Sequence, residues 1–283
     1  MNVPPLPAVM VEPVVRAALL EDLGRAGDIT TDAIVPADAR TETALVARQA
    51  GVIAGLDFAL TAFRLIEPAL RIEVARPDGA RLAPGDMIVT IAGPARGILT
   101  AERTALNFLC HLSGVASATA GVVGAISGKN AQVCCTRKTM PGLRAAQKYA
   151  VRVGGGSNHR FGLDDAVLIK DNHIAIAGGI DAAVERARAG VGHMVKIELE
   201  VDTLAQLEQG LALGVDAVLL DNMGLELLRE AVALVGGRAI TEASGRITPA
   251  TAPAIAATGV DLISIGWLTH SASVLDIGLD HRG

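Results

Sequence analysis

The chain has 283 residues, enough to bury a sizeable core in one large or two modest domains without help from disulfides. Hydrophobic residues make up 51% and mean hydropathy is +0.42, yet the longest stretch free of Asp, Glu, Lys and Arg, Thr104 to Gly128, is broken by Asn107, His111, serines, threonines and glycines, which argues against a membrane span. A net charge of −5 with four Phe, one Trp and one Tyr leaves neither an electrostatic footprint nor a stacking platform for nucleic acid.

The opening segment MNVPPLPAVMVEP shows no basic leader and no continuous apolar run, which points to a cytoplasmic protein. Val11 to Leu23 reads as an amphipathic helix stopped at Gly24, after which Gly27, Asp28 and the pair Thr30-Thr31 mark a loop. Arg40 to Arg48, Leu70 to Ala75 and Asp86 to Ala92 alternate as strands, with turns at Pro77-Asp78-Gly79 and Pro84-Gly85-Asp86, and predict a small antiparallel sheet with helices. Thr100 precedes a helix from Ala101 that carries Arg103 near its start and Leu106, Leu109 and Leu112 at intervals of three.

From about Val115 the pattern becomes short continuous apolar runs separated by helical stretches, as in a parallel sheet buried on both faces. Six runs stand out: Ala131 to Thr136, Ala166 to Ile169, Met194 to Leu199, Ala217 to Leu220, Ala239 to Thr241 and Leu262 to Ile265. Each ends in polar residues or glycine, and in a β/α barrel such ends converge on one mouth. An open doubly wound sheet shares this pattern, but no Gly-rich dinucleotide loop follows any run. Six strands are too few for a regular eight-stranded barrel, so the barrel is incomplete or hides a strand.

Chemistry concentrates at those ends. From Arg137 to Lys170 there are seven basic residues (Arg137, Lys138, Arg144, Lys148, Arg152, Arg160, Lys170) against Asp164 and Asp165, a cationic segment in an acidic chain that invites a small anion. Arg144 and Lys148 lie four apart and share a helix face, which for Lys148 reads as a solvated one. Glu200 and Asp221 close successive strands and, opposite a cationic wall, suit Mg²⁺ together with a sugar diphosphate; the alternative is a helix cap or an ion pair with arginine. Ser244-Gly245 and Gly266 follow later strands, where small residues let backbone N–H groups approach a phosphate. Cys110, Cys134 and Cys135 fit neither a disulfide framework nor zinc spacing and read as buried free thiols.

Taken in order, Glu21-Asp22-Leu23 with Gly27-Asp28-Ile29-Thr30-Thr31, Glu102-Arg103-Thr104-Ala105-Leu106-Asn107-Phe108, Thr136-Arg137-Lys138-Thr139, Pro141-Gly142-Leu143-Arg144, Gly154-Gly155-Gly156 with Asn158-His159-Arg160, Leu168-Ile169-Lys170-Asp171-Asn172-His173, Leu220-Asp221-Asn222-Met223 and Leu268-Thr269-His270-Ser271 resemble the quinolinate phosphoribosyltransferase family. The resemblance spans nearly the whole chain; Met140 and Trp267 depart from its pattern.

The resemblance implies an enzyme of NAD biosynthesis that joins quinolinate to 5-phosphoribosyl 1-diphosphate with Mg²⁺ and releases CO₂ and pyrophosphate. It implies an N-terminal α/β sandwich over 1–114, an incomplete seven-stranded β/α barrel over 115–270, and a tail, 271–283, able to pack back on the first domain. It implies a homodimer, with a higher oligomer left open, in which Arg103 serves the partner's site. By motif, Arg103, Arg137, His159, Arg160 and Lys170 surround quinolinate; Lys138, Glu200 and Asp221 face the ribosyl diphosphate and metal; Ser244, Gly245, Gly266 and His270 approach the 5-phosphate. Three competitors differ in what they predict. A Schiff-base lyase would use Lys170 as nucleophile, a nicotinate phosphoribosyltransferase would bind one carboxylate where these arginines suit two, and a homologue associated with molybdate transport would keep the fold without turnover.

Overall fold

Val11, Val15 and Leu19 recur every four residues and are buried, which seats helix α1 (Ala8–Leu23) in the computed structural model, where residues 3–282 are described. The Gly27–Thr31 segment is not a loop throughout: Asp28 Oδ1 accepts the Thr31 N–H at 2.9 Å and caps a short helix, α2 (Ile29–Ile34). That cap, strengthened by the Thr31 hydroxyl, holds the Asp28 carboxyl below its usual range. There follow β1 (Arg40–Ala47), β2 (Gly51–Val52), α3 (Leu56–Ile66), β3 (Arg71–Val74), β4 (Arg81–Leu82) and β5 (Met87–Pro94).

Helix α4 (Ala95–Ala125) starts directly from β5 rather than at Ala101, so Arg103 lies in its third turn. By length and composition alone α4 could cross a membrane. Ile98, Leu109, Leu112 and Val115 are buried while Leu99 is exposed, and Ser113 and Ser117 bond the backbone of Ala54 and Val52 at 2.8–3.2 Å. It is the core helix of its unit.

The remaining elements are β6 (Gln132–Cys134), α5 (Arg144–Val153), β7 (Val167–Ile169), α6 (Asp171–Ala177), α7 (Ile180–Gly190), β8 (Ile197–Val201), α8 (Leu204–Ala212), β9 (Ala217–Asp221), α9 (Leu225–Val235), β10 (Ile240–Ser244), α10 (Ala252–Ala256), β11 (Leu262–Ser264), α11 (Trp267–His270) and β12 (Ile277–His281). The chain divides into two units: Met1–Ala120 with Thr139–Gly155 and Leu268–Gly283, and Gly121–Lys138 with Gly156–Trp267. Both units are discontinuous in sequence, and α5 belongs to the first.

In the first unit an antiparallel sheet has the order β12-β1-β5-β3, with the tail strand registered Thr43↔His281 to Ala47↔Ile277. Residues 146–151 of α5 are all buried, so Lys148, expected on a solvated face, is fully enclosed. Asp78 accepts from the amides of Gly55 (2.9 Å) and Leu56 (3.2 Å) at the start of α3 and from the Tyr149 hydroxyl (2.8 Å). Burial raises both the Asp78 carboxyl and the Tyr149 phenol. Asp78→Ala strands these donors and is expected to cost about 1–3 kcal/mol in urea unfolding; a loss below about 0.5 kcal/mol would show that solvent takes over the contacts.

The second unit carries a parallel sheet of six strands in the order β6-β11-β10-β9-β8-β7. The seventh strand expected from the resemblance is reduced to one residue: Ser157 makes a parallel bridge to Cys134, donating its N–H to Val133 O at 2.8 Å and accepting from Cys135 N–H at 3.2 Å. Alternate positions differ in chemistry. Ile197, Leu199, Val201, Val218, Leu220, Ala243, Ile263 and Val133 are buried and apolar on one face. The opposite parity carries Glu198, Glu200, Asp221, Glu242, Ser244 and Ser264, so the inner face is the polar one.

Candidate active site

Register sets the inner face in rows: Glu198 lies beside Leu168 and Ala217, Glu200 beside Leu219, Leu219 beside Glu242, and Asp221 beside Ser244. A cavity of ≈ 550 Å³ opens at the amino-terminal ends of these strands, where Gln132, Val167, Ala217, Ile240 and Leu262 border it together with His159, Arg160, Glu198 and Glu242.

Three of these residues form a cluster, and two of them, Glu198 and Glu242, are not marked out by the sequence. His159 Nε2 is 2.9 Å from Glu198 Oε2 and 3.7 Å from Glu242 Oε1. Glu242 is 2% exposed, and burial, then the Glu198 charge, pushes its carboxyl up to about 7 against the opposing pull of His159. The folded-state value exceeds the unfolded one of about 4.3, so the stability this group contributes is complete below about pH 4 and is lost as pH rises through about 7. Glu242→Gln cannot ionise. Between pH 5 and 7 the wild type should therefore lose stability relative to Glu242→Gln, by on the order of 1 kcal/mol per pH unit, with the difference levelling off above about pH 7, in parallel thermal melts. A difference independent of pH would mean that Glu242 ionises normally. The available signal in sequence is Glu198 two residues before Glu200 in an otherwise apolar strand, which puts both on one face.

Arg160 lines this cavity, and Arg137 is near enough for its charge to act on it. Arg160 is drawn below the usual guanidinium range by burial and then by the charge of Arg137, with Asp165 and Glu198 acting the other way. Its NH1 donates to Ala166 O at 2.9 Å. The Nε atoms of both Arg137 and Arg160 are buried with no hydrogen-bond partner. Two like charges with orphaned donors are costly unless an anion supplies acceptors and counter-charge.

Lys170, just after β7, forms an ion pair with Glu200, so the latter is partnered by a lysine from the neighbouring strand end rather than by an arginine. Asp221 Oδ2 accepts from Asn222 Nδ2 at 2.6 Å. Glu200 and Asp221 end adjacent strands and offer only oxygen, the donor chemistry of a hard cation; Mg²⁺ there would draw its other ligands from diphosphate and water. Beyond them, Asn222 (φ 53) and Arg246 (φ 48) are the two non-glycine residues with positive φ among those described. Gly245 lies between these loops at φ +116, and a Cβ there would sit 2.3 Å from Asn222 Oδ1. Trp267, which departs from the family pattern, donates its indole N–H to Ile247 O at 2.8 Å and ties the segment after Gly266 to the one after Gly245.

The second unit contains Arg137, His159, Arg160, Lys170, Glu200, Asp221, Ser244, Gly245 and Gly266, and an exposed Lys138. Arg103 and His270 belong to the first unit and are exposed. Arg103 borders a cavity of ≈ 280 Å³ with Asp22, Asp28 and Thr100, and His270 Nδ1 lies 2.6 Å from Ser271 Oγ.

Comparison with known proteins gives a consistent match. The family model for the quinolinate phosphoribosyl transferase N-terminal domain matches residues 28–113, and that for the C-terminal domain matches residues 115–280. A carboxylating nicotinate-nucleotide pyrophosphorylase of Mycobacterium leprae is 47% identical over 271 residues, covering 94% of this chain and 95% of the relative. The solved structure of NadC from Streptococcus pyogenes superposes with a TM-score of 0.94 at 42% identity, covering 99% of this chain and 100% of that one. The nicotinate-nucleotide pyrophosphorylase from Francisella tularensis also gives 0.94, at 39% identity over 100% and 99% of the two chains.

Proposed function

The chain belongs to the quinolinate phosphoribosyltransferase family, and on that basis we propose that it joins quinolinate to 5-phosphoribosyl 1-diphosphate, releasing pyrophosphate and CO₂ to give nicotinate mononucleotide. The observation that carries the substrate assignment is the Arg137/Arg160 pair. Two buried, unpartnered Nε donors beside each other match a planar dianion with two adjacent carboxylates, because a guanidinium offers paired donors where an ammonium offers a point charge. His159 and Lys170 complete the quinolinate wall in this reading, and Arg103 reaches it from the partner of a homodimer.

Loss of pyrophosphate leaves positive charge on the ribosyl carbon and negative charge on the leaving group. Glu200 and Asp221 face the first, and Lys138 faces the second. Mg²⁺, held by the same two carboxylates, would neutralise the diphosphate and polarise its bond to the sugar. Ser244, Gly245, Gly266 and His270 take the 5-phosphate, the glycines by admitting backbone N–H groups. After ribosylation the ring nitrogen is cationic, so it stabilises the electron pair left on C2 as CO₂ departs, and C2 then takes a proton from water. No protein nucleophile is needed. A Schiff-base lyase fits less well because Lys170 is engaged by Glu200 rather than presented in an apolar pocket. The three cysteines form no disulfide, which suits a reducing compartment, and we assign the cytoplasm.

The deciding assay incubates the purified protein with quinolinate, phosphoribosyl diphosphate and Mg²⁺ and follows nicotinate mononucleotide. Stoichiometric product and CO₂ are expected; quinolinate left unconsumed would favour the transport-associated homologue. For the shared site, Arg103→Ala and Lys138→Ala proteins, each inactive alone, should regain activity when mixed, because subunit exchange rebuilds one intact site per mixed dimer. Mixed dimers that form and stay inactive would place Arg103 in its own subunit's site.

A further inference from the structure

The cluster beneath the arginine pair is built in a way that substrate contact alone does not explain. His159 uses both ring nitrogens within the protein. Nδ1 accepts the Arg160 backbone N–H at 2.7 Å, so Nε2 carries the proton and donates to Glu198 Oε2 at 2.9 Å. Glu198 and Glu242 are 9% and 2% exposed, and two carboxylates buried this closely cost stability that apolar residues such as the neighbouring Leu219 and Leu262 would not. Glu242 Oε1 has no hydrogen-bond partner and lies 3.7 Å from the same Nε2, beyond hydrogen-bond reach, where its oxygen faces the imidazole beside Glu198.

We propose that Glu198 and Glu242 are positioning residues for the dicarboxylate site: they fix the His159 ring in the Nε2–H tautomer, so that Nδ1 anchors the Arg160 amide while Ala166 O anchors the tip of its guanidinium, leaving Nε turned to the ligand. This rests on the assignment of Arg160 to quinolinate. The order of influence runs from the two glutamates through His159 to Arg160, and neither glutamate touches substrate. The raised proton affinity of Glu242 agrees with it, since a neutral Glu242 leaves a single negative charge opposite the imidazole.

Two measurements test this. The ¹⁵N shifts of His159 in the wild-type protein should show a protonated Nε2 and an unprotonated Nδ1; the opposite tautomer, or an Nε2 that loses its proton to a bound metal ion when Zn²⁺ is added at equimolar amounts, would overturn the proposal without any variant having to fold. Calorimetric titration with quinolinate alone should give a Kd weakened roughly tenfold in Glu198→Ala, the equivalent of one lost hydrogen bond, and by a smaller factor of roughly threefold in Glu242→Ala, which removes only a through-space contact. Affinity for phosphoribosyl diphosphate should be unchanged, and Glu198→Gln and Glu242→Gln, which keep an acceptor at each place, should bind quinolinate nearly as the wild type does. Folded alanine variants with wild-type affinity would overturn the positioning role alone. A wild-type protein that binds no quinolinate would overturn the parent assignment, and this one with it.

Discussion

Arg137→Lys and Arg160→Lys are each expected to weaken quinolinate binding by about 1–3 kcal/mol, roughly 5- to 150-fold, although the charge is kept. The reason is geometric. Arg160 is held at its tip by Ala166 O and still has a buried Nε without a partner, so one side chain serves the protein and the ligand at once. A lysine ammonium at the end of a flexible stem cannot do both, and it cannot present two parallel donors to a carboxylate. Proximity adds to the effect: the charge of Arg137 already bears on Arg160, so the free site carries like-charge repulsion that a dianion relieves on binding. Calorimetry on both variants measures this directly. Unchanged affinity in both would return these arginines to a solvated cationic face, whereas a loss confined to one would identify which carboxylate subsite it serves.

The catalytic edge of the sheet is legible in the sequence because polar residues interrupt apolar runs there: a run that stops at Glu200 or Asp221 marks a buried strand reaching a solvated rim. Register is not legible in the same way. Glu200 pairs with Lys170, 30 residues earlier, and that pairing depends on β7 lying next to β8. Lys148 differs from its expected place for a related reason: a basic residue at helical spacing reads as solvated unless the packing of its helix is known, and α5 is buried along 146–151. The helix capped by Asp28 is hidden because Gly27 and the threonines carry turn chemistry, and a six-residue helix has little periodicity to set against it. Glu242 shows the limit most clearly. Its sequence neighbours place it at a strand end, but its raised carboxyl comes from burial and then from the Glu198 charge, against the pull of His159, and only the folded sheet supplies these.

The largest effect on turnover is expected at Glu200 and Asp221, and the structure separates it from any effect on stability. Glu200→Gln removes one partner of an ion pair, and breaking a buried pair costs roughly 3–5 kcal/mol. This pair is not of that kind: the Lys170 side chain is 45% exposed, so water takes over the released ammonium and the loss should stay near ~0–1 kcal/mol. Asp221→Asn is similarly mild, since its carboxylate is bonded to the side chain of Asn222 in an exposed turn. Turnover should behave differently. On the proposed assignment both carboxylates act on charge that develops only as pyrophosphate leaves, so their neutralisation is expected to cut kcat on the order of 100-fold and to raise the Mg²⁺ concentration needed for half-maximal rate. Melting temperature and Mg²⁺ dependence measured on the same samples decide between the roles. A melting temperature close to wild type with a shifted metal requirement supports catalysis, and early melting with an ordinary metal requirement would make these carboxylates structural. Lys170→Met adds a control: removing the competitor for Glu200 should lower the Mg²⁺ requirement even as quinolinate binding weakens, a combination that a purely structural ion pair cannot produce.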